Sequence, residues 1–341
     1  MFVLPTLVIF ATAAFGRPYK RSDGLTVDIS GPGNSVTSIE DLKFTATVTN
    51  TNAGDVKVLK YGTVLDGLPS RSFTVTKGGV PVDFTGIQLN IAMSDSAYLT
   101  IPSGANVTVE HNVADLYDFA SAGKGTFAFE PITDFRVAGA EERVASPFSA
   151  VKAIAEIIEV EVTSEVTRRS IKRATDVCAN ATLSEFINAS YVEAKELASI
   201  SLNYISTLGN SSNNTVTAYF STNPVQNVTD KLELVANEND SSRTLNCLDD
   251  YGVCDGNVIA YTVISTTDIY FCSIFFDEVP ATDLCSGTTT VAARNLTHAV
   301  ADTEDITYGC VADQGLTAAQ QIINADSFNC FVTQVYNDTQ C

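Results

Sequence analysis

Arg168-Arg169-Ser170-Ile171-Lys172-Arg173 is the stretch on which the architecture turns, because the chain on either side of it differs in chemistry. Of the 341 residues, those from Ala174 onward carry 21 acids against 4 bases, while those before carry 19 against 16. All 8 cysteines (Cys178, Cys247, Cys254, Cys272, Cys285, Cys310, Cys330 and Cys341) follow the basic stretch. A dibasic pair ahead of a cysteine-rich segment reads as a processing site for a Kex2-like protease, with cleavage after Arg173. The alternative is a solvated basic linker. Under the first reading, residues 17–150 form a pro-domain, 151–173 a linker with the processing site, and 174–341 the mature domain.

Residues 1–16 carry no charge and hold an apolar run from Phe2 to Phe10, the pattern of a secretory signal peptide cleaved after Gly16. No run in the chain reaches the roughly 20 apolar residues that a membrane span needs. A secreted, extracellular protein is therefore expected, with its cysteines in disulfides. Sequons for N-glycosylation stand at Asn106, Asn180, Asn188, Asn210, Asn213, Asn227, Asn239, Asn295 and Asn337. The net charge of −20 argues against nucleic acid or an anionic membrane as partner, since phosphate binding needs clustered Lys and Arg. Protein or peptide ligands and a monomeric state are the expectation. Only 2 histidines are present, and most zinc enzymes take two or three ligands from imidazole alone.

Before the boundary, apolar residues alternate with period two at Leu25-Val27-Ile29, Phe44-Ala46-Val48, Phe73-Val75, Leu89-Ile91, Val107-Val109 and Phe127-Phe129. Turn signals such as Lys77-Gly78-Gly79 and Pro102-Ser103-Gly104 separate them, and no helical run intervenes. This spacing predicts an all-β, sandwich-like domain. His111, just after one of these strands, reads as a core or surface histidine and not as a ligand.

Beyond the boundary the period changes. Leu183, Phe186, Ile187, Ala194, Leu197, Ala198, Tyr204, Ile205 and Leu208 recur at helical spacing behind Thr182-x-x-Glu185, a capping box. Val258 to Phe276 is rich in Val, Ile, Thr, Tyr and Phe and suits a hairpin or small sheet. Thr288 to Val300, Leu316 to Ile323 and Ala325 to Val335 are again patterned as helices. The second domain is thus expected to be mainly helical α+β with a small β-sheet.

Cys272-Ser-Ile-Phe-Phe, Cys285, Thr288-Thr-Thr-Val, Leu296-Thr-His298, Thr303-Glu-Asp305-Ile-Thr-Tyr308-Gly309 and Asn324-Ala-Asp326-Ser-Phe follow in this order. Together they resemble the fungal deuterolysins, the aspzincin metallopeptidases that include the peptidyl-Lys endopeptidases. The resemblance covers most of the second domain, and the signal, β-rich pro-region and dibasic site are similar to that family's zymogen layout. It implies a zincin-like metalloendopeptidase with zinc as cofactor. In the family, H-E-x-x-H on a helix supplies two zinc ligands and the glutamate that activates water, G-T-x-D supplies the third ligand, and a tyrosine stabilises the transition state. By position these roles fall on His298 and Asp305 for metal and on Tyr308 for the transition state. The resemblance also implies the disulfides Cys178–Cys247, Cys254–Cys272 and Cys285–Cys341, leaving Cys310–Cys330 as a further pair.

Two family positions are replaced. Arg294 stands where the first histidine belongs and Asn295 where the catalytic glutamate belongs. Arginine offers no lone pair to zinc, and an amide is no general base near neutral pH. Asp302 replaces the glycine of G-T-x-D. Asp326 matches a position that holds lysine in the Lys-specific members, but Asn329 stands where their glutamate is expected. Two readings remain: a catalytically inactive pseudoprotease with Arg294 paired to Asp305, or an active secreted zinc endopeptidase with a modified site, improvised from Asp302 and Glu304. The sequon at Asn295 adds the expectation of a glycan in the cleft.

Overall fold

Alternation becomes strand wherever it occurs in the first half. The computed structural model describes residues 24–138, 149–166, 178–207, 215–278, 285 and 291–341. In chain order the first half forms β1 (Leu25–Ser30), β2 (Ser35–Val36), β3 (Lys43–Asn50), β4 (Val56–Leu59), β5 (Phe73–Lys77), β6 (Val80–Pro81), β7 (Ile87–Ile91), β8 (Tyr98–Ile101) and β9 (Asn106–Asn112). A one-turn helix α1 (Phe119–Ala122) precedes β10 (Gly125–Pro131), β11 (Asp134–Ala138), β12 (Ser149–Lys152) and β13 (Ile158–Val162).

All of these strands except β7 make three small sheets, ordered β1-β3-β9, β2-β13-β10-β5-β6 and β12-β11-β4-β8. The expected sandwich is thus a three-sheet arrangement around an aromatic core, where Phe44 lies 4.7 Å from Phe129 and 5.2 Å from Phe73, ring centre to ring centre. His111 belongs to that core: its ring meets Phe73 edge-on and its Nε2 lies 3.0 Å from the Val64 carbonyl. Part of the segment assigned to a linker is structural, since β13 pairs along β10 from Gly125↔Val162 to Phe129↔Ile158. Val160 and Val162 are fully buried, and that burial, not the adjacent basic run, decides the conformation. The proposed signal and Arg173 lie outside the described residues.

The second half begins with α2 (Ala181–Thr207), followed by α3 (Thr215–Phe220) and α4 (Val225–Ala236). The helix starts one residue before the expected box: Asn180 Oδ1 accepts from the amides of Thr182 and Leu183, so Asn180 caps it and Thr182 does not. Three strands follow, β14 (Leu245–Asn246), β15 (Val258–Val263) and β16 (Asp268–Phe271), and then α5 (Ser273–Glu278), α6 (Val291–Val300), α7 (Cys310–Gln314), α8 (Ala318–Gln321) and α9 (Ala325–Gln340). Leu197, Leu232, Leu296, Phe328 and Phe331 meet in one core between α2, α4, α6 and α9. Disulfides join Cys178–Cys247, Cys254–Cys272 and Cys285–Cys341, the pairs the resemblance implies, and Cys310–Cys330, the pair left over.

One strand crosses the boundary. β7, from the first half, is the edge strand of the second half's sheet, whose order is β14-β16-β15-β7. The chain is therefore a mixed α/β structure in which the two halves share a sheet.

Candidate active site

Helix α6 supplies the centre of the site. Arg294 and His298 are four residues apart and so share a face of the helix. After α6, Asp302 takes φ 48°, a left-handed turn that glycine usually supplies, and sends Thr303 to Asp305 back along the helix. The returning strand is pinned in place: the Asn324 side-chain oxygen accepts from the Ile306 and Thr307 amides, and Ala325 donates to the Glu304 carbonyl. This geometry brings Asp305 to Arg294 and His298.

Arg294 is buried, 2% exposed. Its Nη2 and Nε both reach Asp305 Oδ1, the second at 3.2 Å, and its Nη1 lies 3.5 Å from Asp326 Oδ1. The same group sits 4.3 Å from the Tyr308 ring centre, and Arg136 of the first half lies 5.0 Å from it. Burial alone would raise the Asp305 carboxyl, but Arg294 and then His298 outweigh it and hold Asp305 well below the usual carboxylate range. Burial alone would lower Arg294, and Asp305 with Asp326 reverse that, so the cation is held. Burial and then the Asp305 charge push the Tyr308 hydroxyl far above its ordinary value.

His298 has Nε2 3.1 Å from Asp305 Oδ1, a close but poorly aligned approach, and Nδ1 2.9 Å from the Thr303 carbonyl. Asn295 is 0% exposed and lies against β15, where Thr262 Oγ1 donates to its backbone oxygen at 3.1 Å. A glycan has no exit from that position, which corrects the expectation raised by its sequon. Asp302 is exposed, and Glu304 pairs with Arg71, so the improvised oxygen-rich site is not assembled. Asp326 accepts from the Gly309 amide at 2.5 Å, and Asn329 Nδ2 lies 3.4 Å from its other oxygen.

These residues do not fit a family-type zinc site. His298 is the only imidazole present, since His111 lies in the first-half core, and Arg294 places a fixed positive charge on the carboxylate that the metal would need. Among the described residues, one group of potential ligands comes together, Asp313, Asp326 and Cys330, but Cys330 is bound to Cys310 in a disulfide. Burial and then the neighbouring Asp326 raise the Asp313 carboxyl strongly, and Arg294 and Arg136 offset only part of that.

Several contributors come from the first half and carry no sequence signal. The Leu89 amide donates to Asp305 Oδ2 at 3.0 Å, and Arg136 lines the same cleft of about 510 Å³ with Asp66, Gln88 and Tyr308. Nothing local to Leu89 or Arg136 marks them; the pairing of β7 with β15 brings Leu89 there, while Arg136 comes from β11.

The profile of the deuterolysin metalloprotease (M35) family matches residues 3–341. A neutral protease 2 homologue of Botryotinia fuckeliana is 30% identical over 312 residues, covering 85% of this chain and 87% of that protein. A neutral protease 2 homologue of Aspergillus oryzae is 28% identical over 335 residues, covering 92% and 91%. A solved structure named as a zinc peptidase from Grifola frondosa aligns over 47% of this chain and 99% of its own, at 20% identity and a TM-score of 0.37. With the profile spanning nearly the whole sequence, this chain belongs to the deuterolysin metalloprotease family.

Proposed function

We propose that this chain is a secreted, glycosylated deuterolysin relative that has lost peptidase chemistry and acts as a binding or decoy protein for protein or peptide ligands. The observation that carries the reading is the Arg294 guanidinium, buried, bonded to Asp305 and seated over Tyr308. It serves Asp305 as a permanent counter-ion, and Asn295 offers no base. Secretion is supported by the apolar first sixteen residues and by four disulfides; among the described residues, no helix is long and apolar enough to cross a membrane. The exposed sequons at Asn106, Asn180, Asn188, Asn227 and Asn239 support glycosylation, Asn337 is half-buried, and Asn210 and Asn213 lie outside the described residues. Maturation after Arg173 belongs to the same proposal, and N-terminal sequencing of the secreted protein should then read Ala174-Thr175-Asp176.

The second reading, a zinc endopeptidase with a modified site, is favoured by the approach of His298 to Asp305. The test compares wild type with Arg294→His/Asn295→Glu, both supplied with zinc, for bound metal and casein hydrolysis. The wild type should hold less than about a tenth of an equivalent of zinc and show no metal-dependent hydrolysis. Wild-type activity equal to that of the double variant would sink the proposal.

A further inference from the structure

The contact between the halves goes well beyond a cover. β7 runs antiparallel to β15, with Ile87 opposite Val263, Leu89 opposite Tyr261 and Ile91 opposite Val258. Beyond each end of the pairing one more backbone bond continues it: Ile264 donates to the Gly86 carbonyl at 2.9 Å and Ala92 to the Asn257 carbonyl at 2.7 Å. Ile87, Leu89 and Ile91, each 4% exposed or less, pack with Tyr61 on Tyr261 and Tyr308, in a core cluster to which both halves contribute.

Polar groups seal the margin. Tyr61 donates to Asp255 at 2.5 Å, and the Ser94 and Ser96 hydroxyls donate to Asn257 Oδ1 at 2.9 and 2.6 Å. Arg71 pairs with Glu304, one residue from the centre of the site, and the Leu89 amide ends on Asp305. Lifting the first half away would bare the edge of β15, expose the aromatic face behind it and remove a donor from a buried carboxylate.

We propose that the first half is a permanent partner of the second: after the chain is cut in the basic stretch 168–173, the two pieces stay together as a one-to-one complex with the cleft covered. The partner for the β15 edge is thus the chain's own segment 87–91. This goes beyond the proposed loss of peptidase chemistry and does not depend on it, since it is read from association and uses neither metal nor activity. It differs from the pro-segment behaviour that the zymogen-like layout implies, in which the first half would be shed.

The experiment uses the oxidised full chain, cut by limited proteolysis at the basic stretch. Two polypeptides should appear on a denaturing gel, while gel filtration at neutral pH should give one peak that survives a 100-fold dilution. Separate elution of the halves overturns the proposal. Gln88→Pro, opposite Thr262 and two residues along from the Gly86–Ile264 bond, removes an amide on the side of the strand that faces β15 and should release the halves once cut. Because that variant can fail to fold, Tyr61→Phe/Ser94→Ala/Ser96→Ala provides a milder probe, with each half's own core intact. Its cut form should dissociate at least tenfold faster than cut wild type, and an unchanged rate would show that these contacts do not hold the halves.

Discussion

Arg294 shows how one side chain can change the chemistry of a site while keeping its shape. Replacing it with Met would leave Asp305 buried beside a poorly aligned histidine, and breaking a buried pair in this way costs about 3–5 kcal/mol. Urea denaturation of Arg294→Met at neutral pH should show a loss of that size, and a loss below about 1 kcal/mol would mean that the pair is worth little. The pH dependence separates two acids of the cleft. Asp305, held low, contributes stability that is present above the ordinary carboxylate range near pH 4 and is lost as pH falls. Asp66 does the opposite: burial raises it from 3.8 to about 6, so its contribution is fully present below pH 3.8 and is lost as pH rises through 6. That loss is about 3 kcal/mol, and in Asp66→Asn the fall in unfolding free energy from pH 4 to pH 7 should shrink by about that amount. Arg294 and Asn295 are legible in sequence because they fall inside a motif whose roles are known. Asp66 is not, because its raised carboxyl comes from burial that no local pattern announces.

At the scale of elements, the sequence speaks clearly where structure is local. Phe44-Ala46-Val48 and Phe127-Phe129 give their strands through alternation alone, and the spacing from Leu183 to Ile205 gives α2. The partner of β7 is not written in this way, since Leu89 and Ile91 would suit any sheet with an apolar face. The segment 151–173 is harder to read: its patterned stretch Ala153 to Ile158 would suit a short helix or a strand, and only the burial of Val160 and Val162 makes β13 a strand that closes a sheet. Gly86, just before β7, tests the shared sheet. A Cβ there would lie 2.6 Å from the Phe84 ring and 2.8 Å from the Pro69 carbonyl. Gly86→Ala should therefore cost about 1–3 kcal/mol in thermal or urea unfolding, and a neutral outcome would mean that this turn yields easily. The Cys310–Cys330 bridge ties α7 to α9 across a separation of 20 residues. Its removal in Cys310→Ser/Cys330→Ser should cost about 3 kcal/mol, with increased hydrogen exchange confined largely to α7.

The whole molecule carries a charge of −20, and after residue 173 its acids outnumber its bases 21 to 4. Such a surface repels itself at low ionic strength, and salt screens it over about 10 Å at 0.1 M. The melting temperature should rise by a few degrees as sodium chloride goes from 20 to 200 mM, whereas a fall would mean that surface ion pairs such as Lys57–Asp95 outweigh the repulsion. The strand that binds the halves also sets how the chain finds its fold. Ile87 must meet Val263 across a very long loop, and contacts so distant in sequence make folding slow. While the peptide link is whole, that search runs at the millimolar effective concentration of a tethered partner. Once the link is severed the same encounter becomes a collision between two molecules, so cut protein, denatured and returned to buffer, should recover at a rate proportional to its concentration, while uncut protein should recover at one rate whatever its dilution.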